Sequence, residues 1–278
     1  MDATLAGIKA AKGSYLCFLD PDDRLGEDFV QTLMDEMTDS CDFVAAGFYK
    51  EKNGVISAYP LAEDRYYSAE ALREYSDCYL CEPGKYGISN RFFNSRCNKL
   101  YTTELVRKTA EHFQECKGIS LGEDSTFTFI MLQFARGGKT LKKPNTYYYD
   151  VGIPNSMMKS DQVDTYLKKC NAAFSALHSM TERFGRGSSQ PYALYYFLVN
   201  ALMERLLNGD REPFCQLYRF LQQDEKYLKG KRVANSQTSK GLAGVEQKLY
   251  NMARTPEQYL VFRKFLKFVR RILRSLKR

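Results

Sequence analysis

Three carboxylates in four residues, Asp20, Asp22 and Asp23, follow the apolar run Tyr15-Leu16-Cys17-Phe18-Leu19, with only Pro21 between them. Like charges held this close repel one another. A fold that keeps them sets a cation among them or uses them in turn and cap hydrogen bonds. At the C-terminal end of a strand they place oxygens on the rim of an α/β sheet, where such sheets bind ligands. Mg²⁺ and Mn²⁺ take one or two carboxylates and complete their shells with water and phosphate oxygens, so the cluster suits a metal that carries a nucleotide diphosphate. An Asx-type turn that caps the following helix accounts for the same residues. Both readings stand on the cluster alone. A second acidic pair, Glu123 and Asp124, opens "EDSTFTFIMLQFA", where acids in the first turn complement a helix dipole.

The remaining reactive side chains are less informative. The eight cysteines (17, 41, 78, 81, 97, 116, 170 and 215) read as free thiols of a cytoplasmic chain. Cys78 and Cys81 form one CxxC, but zinc needs four ligands and no second CxxC or histidine pair accompanies it. The two histidines, His112 and His178, sit in helix-like contexts and read as structural.

The elements that must position these residues follow from hydrophobic patterning. "ATLAGIKAAKG" reads as a helix with Gly13 as its stop, and "SYLCFLD" as a strand buried on both faces, as in a parallel sheet. "GEDFVQTLMDEM" has helical spacing, "CDFVAAGFYK" is the next strand, and Asn53-Gly54 before "VISAYP" predicts a hairpin. Residues 68–77 form a helix. "CNKLYTTELVRK" runs from strand into helix with Thr102 or Thr103 as N-cap, and "TYYYD" is a short aromatic strand. From about residue 160 three long stretches carry helical periodicity, and 228–245 reads as a flexible loop.

The helix and strand pattern, met in this order, resembles family 2 glycosyltransferases of the GT-A fold. "AGIKAAKGSYLCFLDPDD" matches that family's central segment. "CNKLYTTEL" at 97–105, "GEDSTFTFIML" at 122–132 and "TYYYDVGIPNSMM" at 146–158 follow in the family's order. The resemblance, which covers residues 3–158, implies an α/β fold with a partial GT-A, Rossmann-like domain over 1–158; hydrophobic periodicity beyond it, with no counterpart in the family, marks a helical region over 159–254 and a basic helix over 255–278. It implies that Asp20, Asp22 and Asp23 hold Mn²⁺ or Mg²⁺ and the phosphates of a sugar nucleotide, expected to be a UDP-sugar, with Asp22 in direct metal contact. It places Asp124, beside Glu123, as the catalytic base of an inverting transfer, which needs one carboxylate to take the acceptor's proton. Asn98 and Lys99 fall on a family element near the acceptor side and join Asp20 and Asp23 as expected binding residues; Lys99 fits a solvated strand-end charge equally well. The acceptor expected is a surface glycan or a lipid-linked sugar. The competing class is a truncated, non-catalytic relative that binds a membrane or a partner.

Two departures qualify the match. The family's opening "VSVIIPxYN" strand and its base-binding Asp have no counterpart here, and Ala3, Thr4 and Leu5 stand where "ARN" is common. The chain alone is therefore expected to bind sugar nucleotide poorly, and the strand at 15–19 is expected to lie at a sheet edge.

The formal charge of +8 comes from one segment. Residues 263–278 hold eight Lys or Arg and no acid, which leaves the rest of the chain balanced. At about 100° per residue, Val261, Phe262, Phe265, Leu266, Phe268, Val269, Ile272, Leu273 and Leu276 share one arc of about 160°, opposite the basic residues. Residues 256–278 are expected to lie on an anionic membrane surface, at the inner face of the plasma membrane. A terminal helix docked on the protein with a solvated basic face gives the same pattern. Nucleic acid is not expected, since no recognised module accompanies the charge.

Overall fold

The computed structural model describes residues 1–278 except 62, 82–94, 151–161, 210, 237–248, 251 and 276–278; for 236 and 273–275 it describes the backbone alone. The chain divides into two compact units, Met1–Tyr79 with Asn90–Pro191, and Leu80–Ser89 with Tyr192–Arg278.

The first unit is built on a mixed seven-stranded sheet. Its central pair is parallel: β3 (Phe43–Lys52) beside β7 (Gly137–Asp150). Phe43, Val44, Ala45 and Ala46 are all buried, as a strand covered on both faces requires. β6 (Lys99–Thr102) and then β1 (Tyr15–Leu16) extend the sheet antiparallel on one side. β5 (Arg65–Ser68) and β2 (Arg24–Leu25) pair antiparallel with β7 on the other side. β4 (Val55–Tyr59) returns along β3 through a tight turn in which Asn53 and Gly54 have φ of 52° and 77°, the predicted hairpin.

The helices of this unit are α1 (Asp2–Ala10), α2 (Phe29–Met34), α3 (Ala69–Tyr75), α4 (Thr103–Phe113), α5 (Glu123–Phe134) and α6 (Val163–Phe184). The Thr102 hydroxyl caps α4 by accepting from the Leu105 N–H, and the Ser68 hydroxyl caps α3 through Ala71. His112 stacks on Phe134 with ring centroids 5.0 Å apart, and His178 stacks on Phe174 at 5.5 Å.

Three sequence expectations are corrected here. α1 ends at Ala10, where Ala11 turns extended, so Gly13 is not its stop. The run 14–20 contributes only Tyr15 and Leu16 to the sheet, antiparallel to Thr102 and Tyr101, rather than a parallel strand buried on both faces. The backbone leaves the sheet at Cys17 so that Cys17 and Phe18 can pack on the core cluster of Phe29, Leu33, Val44 and Leu100. β7 is 14 residues long, so "TYYYD" is only its last part.

The second unit is helical: α7 (Gln190–Leu206, entering from the first unit), α8 (Arg211–Leu221), α9 (Glu225–Ser236) and α10 (Pro256–Ser275). α9 replaces the loop expected from residue 228, and 237–245 lies outside the described residues. Tyrosines tie this unit together. The Tyr195 hydroxyl donates to Asp224 Oδ2 at 2.8 Å, the Tyr218 hydroxyl donates to the Ala253 carbonyl at 2.9 Å, and Tyr259 packs on Phe214 at 5.6 Å.

Candidate functional site

The acidic turn joins β1 to β2, which lie at opposite ends of the strand order, so the segment 17–23 crosses the end of the sheet. The Asp23 N–H donates to the Asp20 carbonyl at 3.0 Å, which closes a tight turn around Pro21 and Asp22. The Asp23 carboxylate turns back to β7. It accepts from the Tyr147 hydroxyl and, at 3.0 Å, from the Asp150 N–H. Burial raises the Asp23 pKa; the two hydrogen bonds oppose this, and the charges of Asp20 and Asp22 add to it. Asp20 and Asp22 are exposed. Asp23 thus pins the turn to β7 rather than capping the following helix, whose N-cap is Asp28, while the Asp20 and Asp22 carboxylates face solvent.

Glu123 and Asp124 begin α5 directly after Gly122, whose φ of 72° is a left-handed conformation that favours glycine. Their partner is Arg96. Its guanidinium pairs with Asp124 and lies 3.4 Å from Glu123 Oε1, and its Nη1 donates to the Thr4 hydroxyl at 2.9 Å. The same guanidinium sits 5.6 Å from the Phe18 ring and 5.9 Å from the Phe127 ring, between two aromatic faces. Those two rings meet edge to face at 5.6 Å. The amino group of Met1 lies 2.7 Å from Glu123 Oε2.

This contact joins the two acidic segments. Phe18 leads into the acidic turn, and Phe127 stands one helical turn after Asp124. The electrostatics agree. The Asp124 pKa is raised, first by burial and then by the charges of Asp20 and Glu123, with Arg96 pulling it down. Asp20 also raises the Cys97 thiol, which burial carries to about 12, so this thiol is no nucleophile at neutral pH. The Asp124 side chain remains 39% exposed, against 9% for Arg96.

Asn98 and Lys99 are placed differently from the open carboxylates. Asn98 is 2% exposed and donates to the Ala46 carbonyl at 2.6 Å. Lys99 is fully buried; its ammonium donates to the Ser95 carbonyl and, at 3.0 Å, to Asn98 Oδ1. Burial lowers the Lys99 pKa to about 7, against the raising charges of Cys97 and Asp124. Lys99 is thus not a solvated strand-end charge. Of the aromatic strand, Tyr147 is core, while the Asn-Ser step at 155–156 lies outside the described residues. Sequence reasoning missed Arg96, one of two basic residues in "NSRCNKL". The signal for it was indirect: five carboxylates demand a cation, and Thr4 stands where the resembling family has an arginine.

Asp20 and Asp22 offer hard carboxylate oxygens, the donor type that Mg²⁺ and Mn²⁺ take. Among the described residues no group of three or more His, Cys, Asp or Glu side chains is placed to hold a metal ion. The donor set fits a cation held by one or two carboxylates whose remaining ligands come from water and phosphate. A polar depression lined by Lys12, Ser14, Thr103, Arg107 and Glu111 lies at the start of α4, and none of the candidate residues lines it.

Residues 1–109 match the model of glycosyl transferase family 2. A Bacillus subtilis (strain 168) protein, "Uncharacterized glycosyltransferase EpsJ", is 30% identical over 167 residues, which is 59% of this chain and 46% of that protein. The chain thus spans about half the length of that curated relative. Two crystal structures of S. aureus TarS 1-349, one in complex with UDP-GlcNAc, are 12% identical and cover 93% of this chain, with TM-scores of 0.49 and 0.48. They extend over 69% and 68% of those chains. The family match takes in two of the four motifs, those at 6–23 and 97–105, and the motifs at 122–132 and 146–158 lie beyond it: residues 1–109 are similar to glycosyl transferase family 2.

Proposed function

We propose that the chain transfers a sugar, with inversion, from a UDP-sugar to a hydroxyl of a surface-glycan or lipid-linked acceptor. Asp124 accepts the proton of the acceptor hydroxyl. The acceptor oxygen bonds to the anomeric carbon from the face opposite the diphosphate, and the bond to the diphosphate breaks with its electron pair leaving on phosphate oxygen. Arg96 orients Asp124, and burial with nearby negative charge makes that carboxylate more basic than a solvated one. Asp20 and Asp22 would hold Mn²⁺ or Mg²⁺, which supplies positive charge toward the diphosphate. Asp23 holds the turn in place from Tyr147 and the Asp150 N–H. We assign the acceptor side to the region of Asn98 and Lys99, where the charge of Asp124 reaches the Lys99 ammonium. Residues 256–278 meet the anionic membrane where a lipid-linked acceptor resides.

The observation that carries this reading is the joining of the open carboxylates to Asp124, through the Phe18–Phe127 contact and the charge of Asp20 felt at Asp124. The test is UDP release from a panel of UDP-sugars with Mn²⁺, water serving as acceptor. Because the chain alone is expected to bind the donor poorly, wild type is expected to release UDP at high donor concentration, and Asp124→Asn to lose at least about 100-fold there. Equal release by both proteins contradicts the assignment. A second reading, a binding module without turnover, draws on the ion pair between Arg96 and Asp124 and on the burial of Asn98 and Lys99. It predicts no UDP release by wild type.

A further inference from the structure

α10 divides its apolar arc between two uses. Tyr259 stacks on Tyr250 at 4.7 Å and packs on Tyr218 at 5.3 Å, and Leu266, one to two turns later, is 1% exposed. Arg263 fastens the same side by donating to Glu204 Oε2 at 2.7 Å. Phe262 and Val269 are half-buried beside this line. The sequence pattern offered a docked helix or a membrane-facing helix, and the docked face is now identified. The other part of the arc stays open. Val261 is 61% exposed, Phe265 53%, Phe268 61% and Ile272 42%. At about 100° per residue these four lie within about 60° of one another, a continuous stripe along the helix. Leu273 and Leu276, expected on the same arc, lie outside the residues whose side chains are described.

Four large apolar side chains in a row on a water-facing helix mark a contact surface. Exposed Lys264, Lys267 and Arg271 flank one side of the stripe. On the helical wheel, Lys264 and Arg271 fall about 40–60° from Phe268, close enough to reach the same plane. Beside Phe265, Phe268 and Ile272 the charge is uniformly positive; the acid nearest the stripe, Glu257, stands one turn before Val261 and lies 4.0 Å from Arg219. A second copy pressed on these three apolar residues would bring Lys264, Lys267 and Arg271 of both chains together. An anionic bilayer satisfies both parts at once, with acyl chains for the stripe and phosphate headgroups for the bases. Among the described residues no helix is long and apolar enough to cross a membrane, so the contact lies in the interface plane.

We propose that Val261, Phe265, Phe268 and Ile272 insert into the headgroup region of an anionic bilayer while α10 stays packed through Tyr259 and Leu266. Lipid binding on this account needs no detachment of the helix. The inference refines the membrane partner proposed above and holds whether or not the chain turns over substrate.

The test is flotation of the full chain with vesicles of phosphatidylcholine alone and of phosphatidylcholine with phosphatidylglycerol. Wild type is expected to float with the anionic vesicles, and to lose at least about tenfold in affinity in phosphatidylcholine alone or in high salt. Phe265→Ser/Phe268→Ser should float at least about tenfold less while keeping the wild-type melting midpoint, since both side chains are exposed. Lys264→Gln/Lys267→Gln/Arg271→Gln should lose selectivity for anionic vesicles. Equal flotation of wild type and the double serine variant overturns the proposal. So does a wild type that ignores vesicles, including one that forms a dimer dissolved by the same two serines. Asp124→Asn separates the two readings. It should float like wild type, so lost turnover with retained flotation leaves the surface proposal intact, and flotation without any wild-type UDP release removes the transfer reading alone.

Discussion

The Arg96 guanidinium pairs with the Asp124 carboxylate across 28 residues of sequence, with Arg96 buried between the rings of Phe18 and Phe127. One cation thereby holds the start of α5 against the segment that delivers the acidic turn. Removing it strands Asp124 and leaves Glu123 with the Met1 amino group. Arg96→Met is expected to cost about 3 kcal/mol in urea denaturation, the lower end of the range for breaking a buried pair because Asp124 is partly exposed. Arg96→Lys should recover part of that loss and less of the rate, because lysine cannot reproduce the planar fork. Loss of the nearest cation also raises the Asp124 pKa further, so the acid limb of the pH–rate profile should move to higher pH in Arg96→Met. An unmoved limb contradicts the pairing.

Asp42 forms the main electrostatic brace of the sheet. It accepts from the Arg136 N–H at 2.8 Å and from its guanidinium at 2.6 Å, joining the start of β3 to the approach to β7. Burial alone would raise its pKa, but the hydrogen bonds and charge of Arg136 outweigh burial and lower it. A carboxylate with a depressed folded pKa contributes stability above its unfolded value, near 3.8, and loses it as pH falls through the folded value. Wild type should therefore weaken in acid more steeply than Asp42→Asn, and the two urea midpoints should converge as pH drops below about 4. Parallel curves contradict the assignment.

Lys99 carries the opposite sign. With its pKa lowered to about 7, the folded chain binds fewer protons there than the unfolded chain between pH 7 and its ordinary value of 10.5. Its contribution to stability rises with pH across that window. Lys99→Met removes the buried ammonium and should be most stable relative to wild type near neutral pH, with the gap closing toward about pH 10. A gap independent of pH contradicts the assigned burial of charge.

Tyr147→Phe tests how the acidic turn is held. The hydroxyl donates to Asp23, and its loss leaves the Asp150 N–H as the second tie. The expected cost is about 1 kcal/mol of stability, with a rise in the Mn²⁺ concentration needed for half-maximal UDP release. Unchanged Mn²⁺ dependence contradicts a role for this bond in presenting Asp20 and Asp22.

Much of this fold was legible where pattern and local chemistry agree. β3 is a buried apolar run, Asn53-Gly54 supplies the positive φ values of a hairpin, and Thr102 caps α4. β7 was legible only at its end. Its first half, "GGKTLKKPN", carries no strand pattern, yet β3 pairs with it through a register shift at Gly47 and Pro144. A Cβ on Gly138 would collide with the Phe43 ring, so the glycine there serves close strand approach rather than a turn. α9 was hidden by Lys, Gly and Asn, because Gly230 fits against the Tyr192 backbone and tertiary packing overrides its propensity. The carboxylates of the site announced themselves by clustering. Arg96 did not, because its partners Thr4 and Asp124 are remote in sequence and only the fold brings them together.

The central claim is that the acidic turn and Asp124 form one site. A double-mutant cycle on UDP release, with Asp22→Asn, Asp124→Asn and the double variant at matched melting midpoints, tests it most directly. One shared site predicts that each single change lowers release by at least about 100-fold and that the double variant falls no further than the worse single. Multiplied losses, or a single variant that keeps wild-type release, contradict it.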